Sequence, residues 1–229
     1  MAGLHVPTIH FHIGAWAITT LSIALAFWIN FLDKRGLLPE FIMNFLGDEI
    51  VEKLDYMALM TCIVGFSGIL VSIWTGLIDA NGGSLLNYGD INLLVSGYEK
   101  AISSPILGFK VVWAFTGMQF FILILAIRIY FVTIRKEKTV FDQNIFVQLI
   151  YGESALAGLF IMLCIAGAGG IYTTGSSIFS TIPILQDFLP GGNLMIPFFF
   201  FCGIFSVILA LSLFIKEKNE NFERRIYTN

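Results

Sequence analysis

The sequence predicts an all-α integral membrane protein with five transmembrane helices, a four-helix core and a peripheral fifth span. Three observations lead there. Of the 229 residues, 57% are hydrophobic and only 13% are charged. That is about half the ~25% charged share of a soluble domain, which leaves too little polar surface to cover a globule in water. Mean hydropathy is +0.83, and five stretches each supply the roughly 20 apolar residues a bilayer crossing needs. The basic residues are sorted between the loops in the manner of a multi-pass protein of the cell membrane. The same composition excludes a disordered chain. A net charge of −3 gives no basic footprint for nucleic acid.

The whole chain, 1–229, reads as one membrane domain with spans at 9–32, 54–78, 106–134, 146–172 and 194–215. The first span has no basic leader and no small-residue cleavage motif after it, so it reads as a retained helix. Between the first two spans, Pro39 is followed by Phe41, Ile42, Phe45, Leu46 and Ile50 at helical spacing. That pattern predicts an amphipathic helix over 39–53 on the inner face. Residues 80–104 form a Gly/Asn/Ser-rich outer loop carrying Asp90 and Glu99. A second outer loop, 173–193, is broken by Pro183, Pro190, Gly191 and Gly192. Loops of this length tend to dock partners. No internal repeat suggests a transporter built from inverted halves.

Helices in lipid meet through small residues. Gly68, Ser72 and Gly76 share one face of the second span. Ser154, Gly158, Ala166 and Gly170, with Gly167 and Gly169 beside them, mark the fourth, while Ser22 and Ala26 mark the first. These three spans are expected to bundle tightly. The run Phe198–Phe201 makes the fifth look peripheral. Cys62, Cys164 and Cys202 sit singly in apolar runs and read as small hydrophobes.

The sharpest chemical signal is that all three histidines, His5, His10 and His12, fall within eight residues at one end of the first span. They can be interfacial side chains bonded to loops and water, ligands to haem b, or ligands to copper or zinc. In an extended segment His10 and His12 would point the same way. In a helix they would diverge by about 200°. Because every histidine lies on one segment, a second axial haem ligand would be a different residue type or come from another subunit.

Ionisable groups at membrane depth are functional candidates by default. Glu153 lies about two turns into the fourth span, where it can snorkel, bond a neighbour such as Tyr151, or serve as a proton-relay carboxylate. Asp55 can pair with Arg128 near the inner interface, and Asp79 with Lys110 near the outer one. Trp16, Trp74 and Trp113 are expected in the aromatic belt.

The segment His5-Val6-Pro7-Thr8-Ile9-His10-Phe11-His12-Ile13-Gly14 resembles the opening of a widespread family of four-helix membrane proteins of unknown function. Their first span begins His-Pro-x-x-Val-His-Phe-Pro-Ile-Gly. Gly76-Leu77-Ile78-Asp79 is similar to the family's Gly-x-x-Asp, and Gly169-Gly170 with Gly175 to its fourth-span glycines. Val6 and His12 stand where the family has prolines, and Lys110 stands near a family histidine. The resemblance implies a four-helix, cytochrome b-like core with His5 and His10 as candidate haem ligands.

Three functions follow as expectations. The first is a membrane subunit of a larger redox or respiratory complex, holding haem or a metal through His5, His10 and His12, with no enzyme activity of its own. The second is a non-catalytic accessory subunit in contact with lipid and other membrane subunits. The third, a small transporter, is disfavoured by the scarcity of polar residues in the spans.

Eleven of the 13 basic residues lie on one side of a five-span arrangement: Lys34, Arg35, Lys53, Arg128, Arg135, Lys136, Lys138, Lys216, Lys218, Arg224 and Arg225. Only Lys100 and Lys110 lie on the other, which predicts an N-terminus outside and a C-terminus in the cytoplasm. A membrane-impermeant thiol reagent applied from outside should label a cysteine placed at Ser84 or Ser180 and spare one at Thr139. Labelling of the Thr139 site alone would invert the topology.

Overall fold

The computed structural model describes residues 5–47, 49–82, 89–175, 177, 181–192 and 197. All regular structure among them is helical. In chain order it comprises α1 (His5–Asp33), α2 (Glu40–Leu46), α3 (Ile50–Ala80), α4 (Ile91–Ser103), α5 (Pro105–Arg128), α6 (Ile145–Thr174) and α7 (Pro183–Gln186). A π-helical turn, Ile129–Ile134, extends α5, and a 3-10 turn, Val140–Asp142, precedes α6. Four stretches are long and apolar enough to cross a membrane: Ile9–Asp33, Ile50–Ala80, Pro105–Ile134 and Ile145–Tyr172. They match the first four expected spans. The fifth expected span, 194–215, lies outside the described residues except for Pro197, and Cys202 lies outside them too.

The four long helices form an up-and-down bundle. Its two ends are named here for their most informative side chains, the histidine end (His12, Lys110) and the arginine end (Asp55, Arg128). Contacts between α1 and α3 run antiparallel, since Gly68 meets His12 while Gly65 meets Trp16. A Cβ added at Gly68 would lie 2.9 Å from the His12 Cβ, and one at Gly65 would lie 3.4 Å from the Trp16 ring. On the other side Gly117 of α5 receives Met162, and Gly158 of α6 faces the Phe120 Cβ at 3.3 Å. Span three therefore belongs to the closely packed core with the other three, through Gly117, Phe120 and Phe121. On the expected small-residue face of span two, Gly68 makes the tight contact and Ser72 is buried, and Gly65 one turn earlier packs against Trp16.

Trp16 and Trp113 are buried, not at the membrane belt, and Trp16 stacks on Phe121 in the centre of the bundle. Of the three belt candidates only Trp74 is exposed on the helix surface. An indole fills more core volume than any aliphatic side chain, and the neighbouring Gly65 leaves the room for it.

Two connections differ from expectation. Of the helix expected over 39–53 only α2 is separate, seven residues long, because Gly47 adopts φ +79° and ends it. Residues 50–53 instead begin α3. In the long loop, Ile91–Ser103 is the helix α4. The Asp90 side chain accepts from the Asn92 N–H at 2.9 Å and starts it, a standard N-cap arrangement.

Closeness of approach can be tested at two glycines. Gly68→Ala should force α1 and α3 apart, cost stability on the order of the ~1 kcal/mol of a membrane helix contact, and so lower the thermal midpoint in detergent. Gly152→Ala, where a Cβ meets no atom within 4 Å, should leave the midpoint unchanged or raise it, because Ala favours helix over Gly. Equal midpoints for Gly68→Ala and wild type would refute the packing.

Candidate ligand cavity

Three ionisable centres lie within the bundle, and they differ in how far the protein satisfies them. At the arginine end, Arg128 Nε lies 2.8 Å from Asp55 Oδ2, with both side chains almost fully buried. The Tyr151 hydroxyl donates to Asp55 Oδ1 at 3.2 Å. The same Arg128 Nε donates to the Asp55 backbone carbonyl at 3.4 Å. The pair foreseen in the sequence therefore exists, as a buried tie between α3, α5 and α6 and not as an interfacial anchor. Tyr151, a candidate partner for Glu153, belongs to this tie.

The chain after Arg128 closes that end. The π-helical turn hands over to Thr139, whose side chain accepts from the Phe141 N–H at 3.1 Å while Asp142 accepts from the Thr139 N–H at 2.9 Å. Val140 and Phe141 are thereby driven into the core. The Phe141 carbonyl accepts from Gln148 Nε2 at 2.9 Å, Asn30 Nδ2 at 3.1 Å and Lys34 Nζ at 3.1 Å. This plug was readable from its Thr-x-x-Asp signature.

At the histidine end the polar groups face a cavity of about 80 Å³. His12 of α1, Ser72 and Gly76 of α3, Ala101 of α4, Lys110 of α5 and Met162 of α6 are among its lining residues. Local chemistry explains the position of each wall. Ser104 caps α5, accepting from the Leu107 N–H, and Pro105 occupies its first turn. α4 is laid across the bundle by Gly97, whose missing side chain lets the Leu77 carbonyl pack against it, and by Asn81 donating to Ser96 at 2.6 Å. Gly169 of α6 lies beside the lysine, where a Cβ would sit at ordinary contact distance, 3.5 Å, from Lys110 Nζ.

The candidate residues separate accordingly. α1 is helical from His5 onward, so His10 faces outward, exposed, while His12 on the opposite side is buried in the cavity wall. The extended arrangement that would aim both at one ion does not occur. The side chain of His5 lies outside the described residues. Among the described residues no group of three His, Cys, Asp or Glu is placed to share a metal ion. A porphyrin does not fit beside His12, because ligand pockets for molecules smaller than haem already run to roughly 300–1,000 Å³. The described residues therefore do not fit a haem or a multi-histidine metal site within this chain. Lys110 makes no ion pair with Asp79 or any other described residue. Asp79 lies at the end of α3 near the cavity but outside its lining.

The third centre is Glu153 on α6. It faces a groove between α1 and α6 with a volume of about 620 Å³. Its Oε2 is shielded from solvent and has no hydrogen-bond partner among the described residues.

What the arrangement at the histidine end can do is hold an oxygen acceptor. A lysine and an imidazole line one small apolar chamber, and no carboxylate among the described residues lines it with them. The signal for Lys110 was present in the sequence as a basic residue five positions inside a span. Gly169, read there as a helix contact, gave no hint that it lies beside Lys110. Comparison with protein families, with curated proteins and with solved structures finds no match.

The arginine end makes its own prediction. Removing one partner of a buried ion pair strands the other charge and costs about 3–5 kcal/mol, whereas replacing both with apolar groups is often neutral. Arg128→Leu or Asp55→Leu alone should thus lower the detergent melting point strongly. The double variant should lie closer to wild type than either single one, as read by circular dichroism or dye-based melting.

Proposed function

We propose that this protein is a ligand-holding membrane subunit of a larger redox assembly, without enzyme activity of its own. Its cavity takes the polar head of an amphiphile through His12 and Lys110. The carrying observation is the convergence of these two nitrogen side chains on an apolar chamber that supplies no anion of its own. The bundle around them has four helices long and apolar enough to cross a membrane. The distribution of Lys and Arg supports placing this cavity toward the outer leaflet.

The chemistry restricts the ligand. An ammonium and an imidazole N–H donate, so the head is a carboxylate or a quinone-type carbonyl oxygen. A chamber of about 80 Å³ holds a head of only a few heavy atoms, and the tail must leave along the apolar walls. Within a redox assembly such a site would hold a quinone ring edge. Outside one, it would hold a fatty-acid carboxylate.

Two probes separate these sources. The purified full chain in nanodiscs should bind either cis-parinaric acid, read by its fluorescence, or decylubiquinone, read by quenching of tryptophan. Lys110→Met and His12→Leu should each weaken the preferred probe by roughly ten- to a hundredfold, since a charge-assisted hydrogen bond contributes about 1.5–3 kcal/mol and tenfold is 1.4 kcal/mol. Preference for the quinone supports the redox placement, and preference for the acid overturns that placement while keeping the cavity. Affinity for both probes unaffected by the double variant would overturn the reading.

A further inference from the structure

We infer that the groove between α1 and α6 is the seat of a transmembrane helix from another chain, one that carries a basic side chain opposite Glu153. The inference is independent of the ligand cavity, which lies at the other end of the bundle.

The argument begins with depth. Glu153 is eight residues from Ile145, where α6 starts, or about 12 Å along the axis at 1.5 Å per residue. A carboxylate at that depth is costly unless it meets a donor. Its Oε2 finds none among the described residues, and no Lys, Arg or His among them lines the groove. Lipid headgroup donors sit at the interface, not two turns below it, so the missing partner is a protein side chain.

Shape selects a helix. Along α6 the groove extends from Gln148 to Phe160, about 18 Å or more than three helical turns. Its floor carries Ala24 and Gly152, and a Cβ at Gly152 would meet nothing within 4 Å. Small residues at the base of a groove let a second backbone approach closely. Trp28 and Leu156 stand at its sides, both more than half exposed. They offer apolar flanks to the visiting helix, as in helix-in-groove recognition.

Charge selects the partner. The apolar stretch 194–215 of this chain contains no Lys, Arg or His, so it brings no cation to this depth. A complementary basic residue two turns into the membrane therefore comes from another chain.

The test uses the full-length protein in nanodiscs and a dye-labelled 24-residue Leu/Ala helix, made with or without one lysine two turns from its end. Energy transfer should show the lysine helix binding at least tenfold more tightly than the all-apolar one. Glu153→Gln should abolish that preference, and Glu153→Lys should transfer it to a helix carrying Glu at the same place. Equal binding of both helices, or indifference to Glu153→Gln, would overturn the proposal. An intrachain disulfide between cysteines placed at Trp28 and Phe200 would also overturn it, by showing that the protein's own apolar stretch fills the groove.

Discussion

The buried ion pair between Asp55 and Arg128 is the constraint from which the rest of the bundle takes its register. Apolar helix surfaces slide past one another in lipid at little cost, because there is no hydrophobic drive between them. A carboxylate and a guanidinium 2.8 Å apart cannot slide, since displacement by one turn would leave two unpaired charges in a medium that cannot solvate them. The Tyr151 hydroxyl extends the lock to α6. The Phe141 carbonyl, with donors from α1 and α6, brings in the remaining helix. All four long helices are thus registered at one end by polar contacts, and the geometry at the other end follows from their lengths.

That division explains why the histidine end can hold a cavity. Glycines rather than charges control separation there. Gly68 draws α1 against α3, and Gly97 brings α4 against the Leu77 carbonyl of α3. Contacts of this kind bring backbones close, and the Lys110 and His12 side chains line the small chamber left between them.

Much of this was legible in the sequence, and each failure has a local cause. Spans are set by length and hydropathy, so the four long helices match expectation to within a few residues. The Asp55–Arg128 pair was visible because both residues occupy the same end of neighbouring spans. The extent of α2 was overestimated because periodicity continues past Gly47, where φ +79° ends the helix. α4 was missed because the glycines and asparagines before it dominated the reading. Yet Ile91, Leu94, Val95, Tyr98 and Ile102 behind the Asp90 cap have helical spacing. Trp16 was placed in the belt because its position near a span end suits an indole, and nothing in its own segment shows that Gly65, on another helix, makes a slot for it. The histidines could not be resolved by spacing. Whether His10 and His12 converge or diverge depends on where α1 begins, and helix from His5 onward decides for divergence.

The three unequal ionisable centres also rank the surfaces of the molecule by what they ask of their surroundings. Asp55 and Arg128 ask for no further charge, since each has the other at 2.8 Å. Lys110 asks for an oxygen acceptor small enough for a chamber of about 80 Å³, which a headgroup supplies and a helix does not. Glu153 asks for a donor at a depth no headgroup reaches, along a groove of about 620 Å³ that a small molecule would leave largely open. Opposite charges in sites of unequal size, at opposite ends of one bundle, cannot serve a single ligand. The two proposals, a lysine-lined chamber for an amphiphile and a glutamate-lined groove for a helix, therefore call on different faces of the molecule and can be tested separately.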